Sequence, residues 1–190
     1  METKNIMIVG VGGQGTLLSS KLLGRILLDK GYDVKVSEVH GMSQRGGSVV
    51  TYVRYGEQVY SPIIDKGEAD IIISFEILEA ARWAEYLKPD GILISNVQET
   101  NPMPVISGAA EYPKDLAGKL KELGIRIDVI DALKLAMEAG TSKAVNMVLM
   151  GRLSKYFDFE DTEWKEAIKK SVPEKLLDVN LKAFDLGKEA

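Results

Sequence analysis

The 190-residue sequence carries 24 Lys and Arg against 28 Asp and Glu, a formal charge of -4, with one histidine and no cysteine. Hydrophobic residues at 45% and charged residues at 27% give the balance of a globular chain, which excludes disorder and fibrous repeats. The acidic balance without a basic block argues against a nucleic-acid scaffold, and the lack of cysteine excludes disulfides, a thiol nucleophile and a cysteine-ligated cluster held by this chain. His40 alone cannot make a His-rich zinc site, so no metal site is expected. No apolar run approaches the roughly 18–20 residues that cross a bilayer, and the first residues lack a signal-peptide core. The expectation is a soluble, cytoplasmic single domain with no nucleic-acid or membrane partner.

Asn5–Val9 is short, apolar and β-branched, which predicts a buried strand. Gly10-Val11-Gly12-Gly13-Gln14-Gly15 follows as a turn, and Leu18, Leu22 and Ile26 then set an apolar stripe on a helix from about Thr16 to Lys30. Gly31 stops that helix, and Asp33–Val39 reads as a second strand, completing a minimal parallel βαβ unit. A polar loop, residues 40–47, replaces the next helix. Ser48–Tyr55 reads as a strand returning through Gly56-Glu57 to Gln58–Ser61, a hairpin-like insertion.

The alternating rhythm then resumes. Ala69–Phe75 is a buried strand, Glu76–Leu87 a helix, Lys88-Pro89-Asp90-Gly91 a turn, and Ile92–Val97 a strand. Pro113–Leu123 reads as a helix and Ile125–Ile130 as a strand, after which everything is helical: Ala132–Ala139, Lys143–Tyr156, Thr162–Ser171 and Glu174–Leu186. The fold class is α/β, a mostly parallel Rossmann-like sheet with a β-hairpin insertion and a helical C-terminal extension. No linker divides the chain.

Two glycine loops carry the chemistry. Gly10-x-Gly12-x-x-Gly15 lies between a strand and a helix, the context in which glycines let backbone approach phosphate at a helix N-terminus. Glu38 ends the second strand where a ribose-binding carboxylate would sit. A sharp turn that binds nothing is the plain alternative, and NAD is disfavoured because the hairpin interrupts the first nucleotide half. In the second loop Arg45 offers a fork for phosphate or carboxylate, Gly46 and Gly47 keep the backbone open, and Ser43 and Gln44 offer neutral hydrogen bonds. His40 and Asn146 read as structural residues or as site contacts. Asp128, Asp131 and Glu138 read as capping residues, Trp83 and Trp164 as packing residues, and residues 160–163 as a helix start.

The first loop, together with Ser37-Glu38-Val39-His40-Gly41-Met42-Ser43-Gln44-Arg45-Gly46-Gly47, resembles the gamma-type domain of the 2-oxoacid:ferredoxin oxidoreductases. The Glu-Val-His-Gly form of the second loop is most similar to the arylpyruvate branch, the indolepyruvate ferredoxin oxidoreductase beta (small) subunits. Lys143–Gly151 resembles the Asn-containing helix of those subunits, and the likeness runs from about Ile6 to Leu153. It implies one gamma-type domain over residues 1–190, with the helical extension from about 132. It also implies oxidative decarboxylation of an arylpyruvate such as indolepyruvate to an acyl-CoA. Thiamine diphosphate and 4Fe-4S clusters would sit on a large (alpha) subunit, coenzyme A would be co-substrate, and ferredoxin would accept the electrons. This chain would be inactive alone and bind no cofactor tightly. Gly10, Gly12, Gly13, Gln14, Gly15, Glu38, His40, Ser43, Gln44, Arg45, Gly46, Gly47 and Asn146 would then form a cofactor-binding or subunit-interface surface. A self-sufficient NAD(P)-binding oxidoreductase and a non-catalytic nucleotide-binding module remain as alternatives.

Overall fold

The computed structural model describes residues 2–40 and 47–190, with His40 by its backbone alone. Six strands form one sheet in the order β2-β3-β1-β4-β5-β6: β1 Lys4–Val11, β2 Asp33–His40, β3 Ser48–Gly56, β4 Ala69–Ser74, β5 Leu87–Asn96 and β6 Ile127–Ile130. The pairings β1–β4, β4–β5 and β5–β6 are parallel, while β3 runs antiparallel to both β1 and β2.

Alternation along the strands builds two cores. Ile6, Ile8, Ile71, Ile73, Ile92 and Ile94 face one side, and Met7, Val9, Ile72 and Leu93 face the other. The first side is covered by α1 Thr16–Asp29 and by the C-terminal helices α5 Ala132–Ala139, α6 Val145–Ser154, α7 Asp161–Ser171 and α8 Leu177–Glu189. The second is covered by α2 Ile77–Trp83 and α4 Leu116–Glu122. A short helix, α3 Met103–Ile106, buries none of its residues. The helix start read at residues 160–163 is a capping box, in which Glu160 and Glu163 satisfy each other's backbone donors. Trp164 is fully buried in a ring cluster with Phe157, Phe159 and Phe184.

Two local readings are corrected. The antiparallel partner of β3 is not Gln58–Ser61, which forms no strand; β3 pairs with β2 from Asp33↔Gly56 to His40↔Val49 and with β1 from Lys4↔Tyr55 to Val11↔Ser48. Val49, Val50, Thr51, Tyr52 and Val53 are all buried, and a strand buried on both faces needs a neighbour on each edge. The hairpin is therefore β2–β3, and it wedges β3 between the two strands expected to make a contiguous βαβ unit. Residues 88–91 are likewise not a free turn but part of β5, whose register with β4 shifts between Ala69 and Ile71.

Because α1 follows β1 on one face and α2 follows β4 on the other, a crevice opens at the carboxyl ends of these adjacent parallel strands, the usual ligand edge of such sheets. The glycine turn lies on that edge.

Candidate functional site at the glycine turn

Each glycine of the turn has its own reason. Gly13 and Gly15 take φ of 97° and 93°, left-handed backbone that a side chain would strain. At Gly10 a Cβ would lie 2.9 Å from the Phe75 Cβ, so close packing of β1 on β4 demands glycine there. Gly12 donates its N–H to the Gly47 carbonyl at 2.9 Å, joining the first loop to the end of the second.

Gln14 turns inward. Its Oε1 accepts the Val11 N–H at 2.7 Å, and its Nε2 lies 3.5 Å from the Phe75 carbonyl, so the side chain closes the crevice between β1 and β4. Its observed bonds therefore hold the turn in shape. The N-terminal N–H groups of α1 have no intrahelical partner and lie at the positive end of the helix dipole.

Gly12, Gly13, Gly15, Thr16 and Leu17 line a cavity of about 410 Å³ whose far wall is Glu38 and Val49. Thr51 Oγ1 lies 3.5 Å from a Glu38 carboxylate oxygen on the neighbouring strand. The cavity thus opposes a helix N-terminus, suited to an anion, to a carboxylate, suited to a hydroxyl or N–H donor. The interposed β3 sets β2 one further strand spacing, about 4.8 Å, from β1, so Glu38 does not hold the neighbouring-strand position of a dinucleotide ribose contact.

Asn146 joins this site from the far end of the sequence. It lies in the first turn of α6, is 5% exposed, and a Cβ on Gly15 would sit 3.4 Å from its Cβ and Nδ2. Its Oδ1 has no hydrogen-bond partner among the described residues. Asn146 also lines a second cavity of about 650 Å³, between Leu18 of α1, Thr141 to Ala144, and Val172 to Asn180. A buried acceptor without a partner is costly, which marks Asn146 as a residue whose position needs an explanation.

Of the candidate residues, Gly10, Gly12, Gly13, Gln14, Gly15, Glu38 and Gly47 lie around the turn, and Asn146, left open by the sequence between a structural and a site role, packs against Gly15. His40 ends β2 opposite Val49. The side chain of His40 and all of Ser43, Gln44, Arg45 and Gly46 lie outside the described residues.

One polar cluster escaped the sequence reading and a second was misread. Glu76, 1% exposed, caps α2 by accepting the Glu79 N–H through Oε2, while Oε1 accepts the Thr100 N–H and the Tyr112 hydroxyl. Burial, and then this hydrogen bond, pushes the Tyr112 hydroxyl pKa well above its ordinary value. Glu79, 4% exposed, accepts from Ser48 Oγ and Arg82 Nε, so it anchors the first residue of β3 just after the second glycine loop. A carboxylate directly after a buried strand was the available signal. Asp128, read as a capping residue, instead lies within β6 and is held by Arg152 in a two-pronged pair at 2.7 and 2.8 Å and by the Tyr156 hydroxyl at 2.7 Å. Asp131 is the N-cap of α5, as its capping reading expected. Among the described residues no group of three His, Cys, Asp or Glu could hold a metal ion, and no helix is long and apolar enough to cross a membrane.

A family model described as pyruvate ferredoxin/flavodoxin oxidoreductase matches residues 5–190. The indolepyruvate oxidoreductase subunit IorB of Thermococcus kodakarensis is 48% identical, over 100% of this chain and 96% of that protein. Among solved structures, the pyruvate oxidoreductase subunit PORC of Thermotoga maritima superposes with a TM-score of 0.76 at 22% identity, covering 100% of this chain and 97% of that one. The 2-oxoglutarate:ferredoxin oxidoreductase of Magnetococcus marinus, solved with 2-oxoglutarate, coenzyme A and succinyl-CoA bound, gives 0.76 at 22% identity over 100% of this chain but 31% of that one. At such identities the two structures speak for the fold.

Proposed function

From membership of the pyruvate ferredoxin/flavodoxin oxidoreductase family, to which this chain belongs, we infer the chemistry it serves. The chain is the small subunit of a 2-oxoacid ferredoxin oxidoreductase. Its substrate is an arylpyruvate such as indolepyruvate, which is decarboxylated and joined to coenzyme A while two electrons leave singly to ferredoxin. The full-length 48% identity to an indolepyruvate oxidoreductase subunit carries this reading.

Cysteine-ligated clusters do not fit this chain, which has no thiolate to offer. In this reading, as the family resemblance implies, the 4Fe-4S clusters and thiamine diphosphate belong to a large alpha subunit. Residues 1–190 act as one gamma-type domain, and a fold that fills 31% of a longer chain in Magnetococcus supports its working inside a larger assembly. The glycine-turn cavity, with α1 facing Glu38 and Asn146 behind Gly15, is the surface this chain contributes to a coenzyme A phosphate or to the large subunit. The family resemblance gives Ser43, Gln44, Arg45 and Gly46 the same role, and the assembly works in the cytoplasm.

The test is reconstitution. The purified chain alone should not oxidise indolepyruvate, and adding the large subunit should restore ferredoxin or dye reduction. A large subunit equally active without this chain would overturn the reading.

A further inference from the structure

The outer face of α1 carries a groove that the site above does not use. It encloses about 660 Å³ between Leu17 and Leu28 of the helix, Val36 of β2, and the end of α7 at Lys170 and Ser171. Leu17, Leu28 and Val36 are 49%, 60% and 47% exposed, a concentration of bare aliphatic surface on one helix–strand seam. Gly24 forms its floor, where an added Cβ would have the Val36 methyl 3.9 Å away as its nearest neighbour. The groove is therefore a notch left by a missing side chain.

Its rim is basic on an acidic chain. Lys21 and Arg25, one helical turn apart, have no ion pair or hydrogen bond among the described residues, whereas Lys170 is paired with Asp29 at 3.3 Å. Two uncompensated cations flank the apolar notch on a chain of formal charge -4. Leu17 also lines the glycine-turn cavity, so the groove runs on from that site.

We propose that this groove seats an acidic amphipathic helix of the large subunit. The helix's apolar residues at i, i+3 or i+4 and i+7 would fill the notch over Gly24, and its Asp or Glu residues would meet Lys21 and Arg25. The partner's identity rests on the proposed function above; the chemistry of the segment rests on the groove.

The experiment measures assembly of the full chain with the large subunit for the wild type, the double variant Lys21→Glu with Arg25→Glu, and Gly24→Leu. Leu123→Lys at the C-cap of α4, across the sheet, serves as control. Gly24→Leu favours helix and has room, so circular dichroism and melting should stay native while the notch is filled. Both groove variants should weaken assembly by roughly tenfold or more, and the charge-reversal loss should shrink as salt rises. The control should assemble like the wild type. Groove variants assembling within about twofold of a competent wild type overturn the proposal alone. A wild-type chain that binds no large subunit overturns the proposed function and this inference together. Self-association of the free chain that the groove variants abolish overturns it in favour of a second copy as occupant.

Discussion

At the scale of single residues, the glycine turn separates positions needed for shape from positions facing the cavity. The spacing of Gly10, Gly12 and Gly15 was readable, but it cannot say that Gly10 serves packing against Phe75 or that Gln14 points inward. Those facts depend on β4, whose residues pair with β1 from 65 positions further along the sequence. Gln14→Ala should leave the Val11 N–H without its acceptor and cost about 1–2 kcal/mol of folding free energy, measured by denaturant unfolding. Asp128 gives a pH signature. Burial pushes its pKa up, but hydrogen bonds from Arg152 and Tyr156 outweigh that and hold the carboxyl below its ordinary value. A carboxylate depressed on folding adds stability above its unfolded pKa, roughly 3.9, and loses it as pH falls through the lower folded value. Asp128→Asn should flatten that acid limb of melting temperature against pH. An identical acid limb in the variant would show that Asp128 does not contribute.

Among elements, helices were the easiest to read and strand partners the hardest. The C-terminal helices follow from 3.6-residue apolar periodicity, a local signal. The partner of β3 depends on which strand supplies a ladder of eight pairs, and Gln58–Ser61 is too short to do so. The unbroken β-branched and aromatic run from Val49 to Val53, all of it buried, was the sequence cue for a central strand. The helical extension hinges on two glycines inside helices. A Cβ at Gly187 would lie 1.9 Å from the Val148 carbonyl oxygen, and one at Gly151 would lie 2.0 Å from that of Phe184. The backbones of α6 and α8 touch through this reciprocal notch. Gly187→Ala must therefore push α8 away, and we expect a loss of about 3 kcal/mol or more in chemical denaturation, although alanine favours helix. Mid-helix glycines are the one trace of this contact that sequence offers.

For the whole molecule, the absence of cysteine only removed options until the family was known. A chain of this family without cysteine has no thiolate with which to hold an iron–sulfur cluster itself. The extension is also integral to folding, since Ala183 and Phe184 of α8 complete the core shared with α1 and the sheet. Ending the chain after Val172 removes that lid and uncovers Trp164, whose ring lies 5.8 Å from Phe184. Loss of more than one fully buried side chain, each worth about 1.5–3 kcal/mol, should abolish a cooperative thermal transition. A truncated chain melting cooperatively near the full-length temperature would show the extension to be an independent layer.

The bond from the Gly12 N–H to the Gly47 carbonyl has a consequence for how this protein can vary and be probed. Both partners are main chain, so truncating a side chain does not remove either, and an alanine scan would report strain at Gly10, Gly13 and Gly15 rather than the join itself. The coupling is written in the polypeptide itself and is inherited whatever residues decorate the loops. Removing the donor takes a change of backbone, such as Gly12→Pro or an ester in place of that amide.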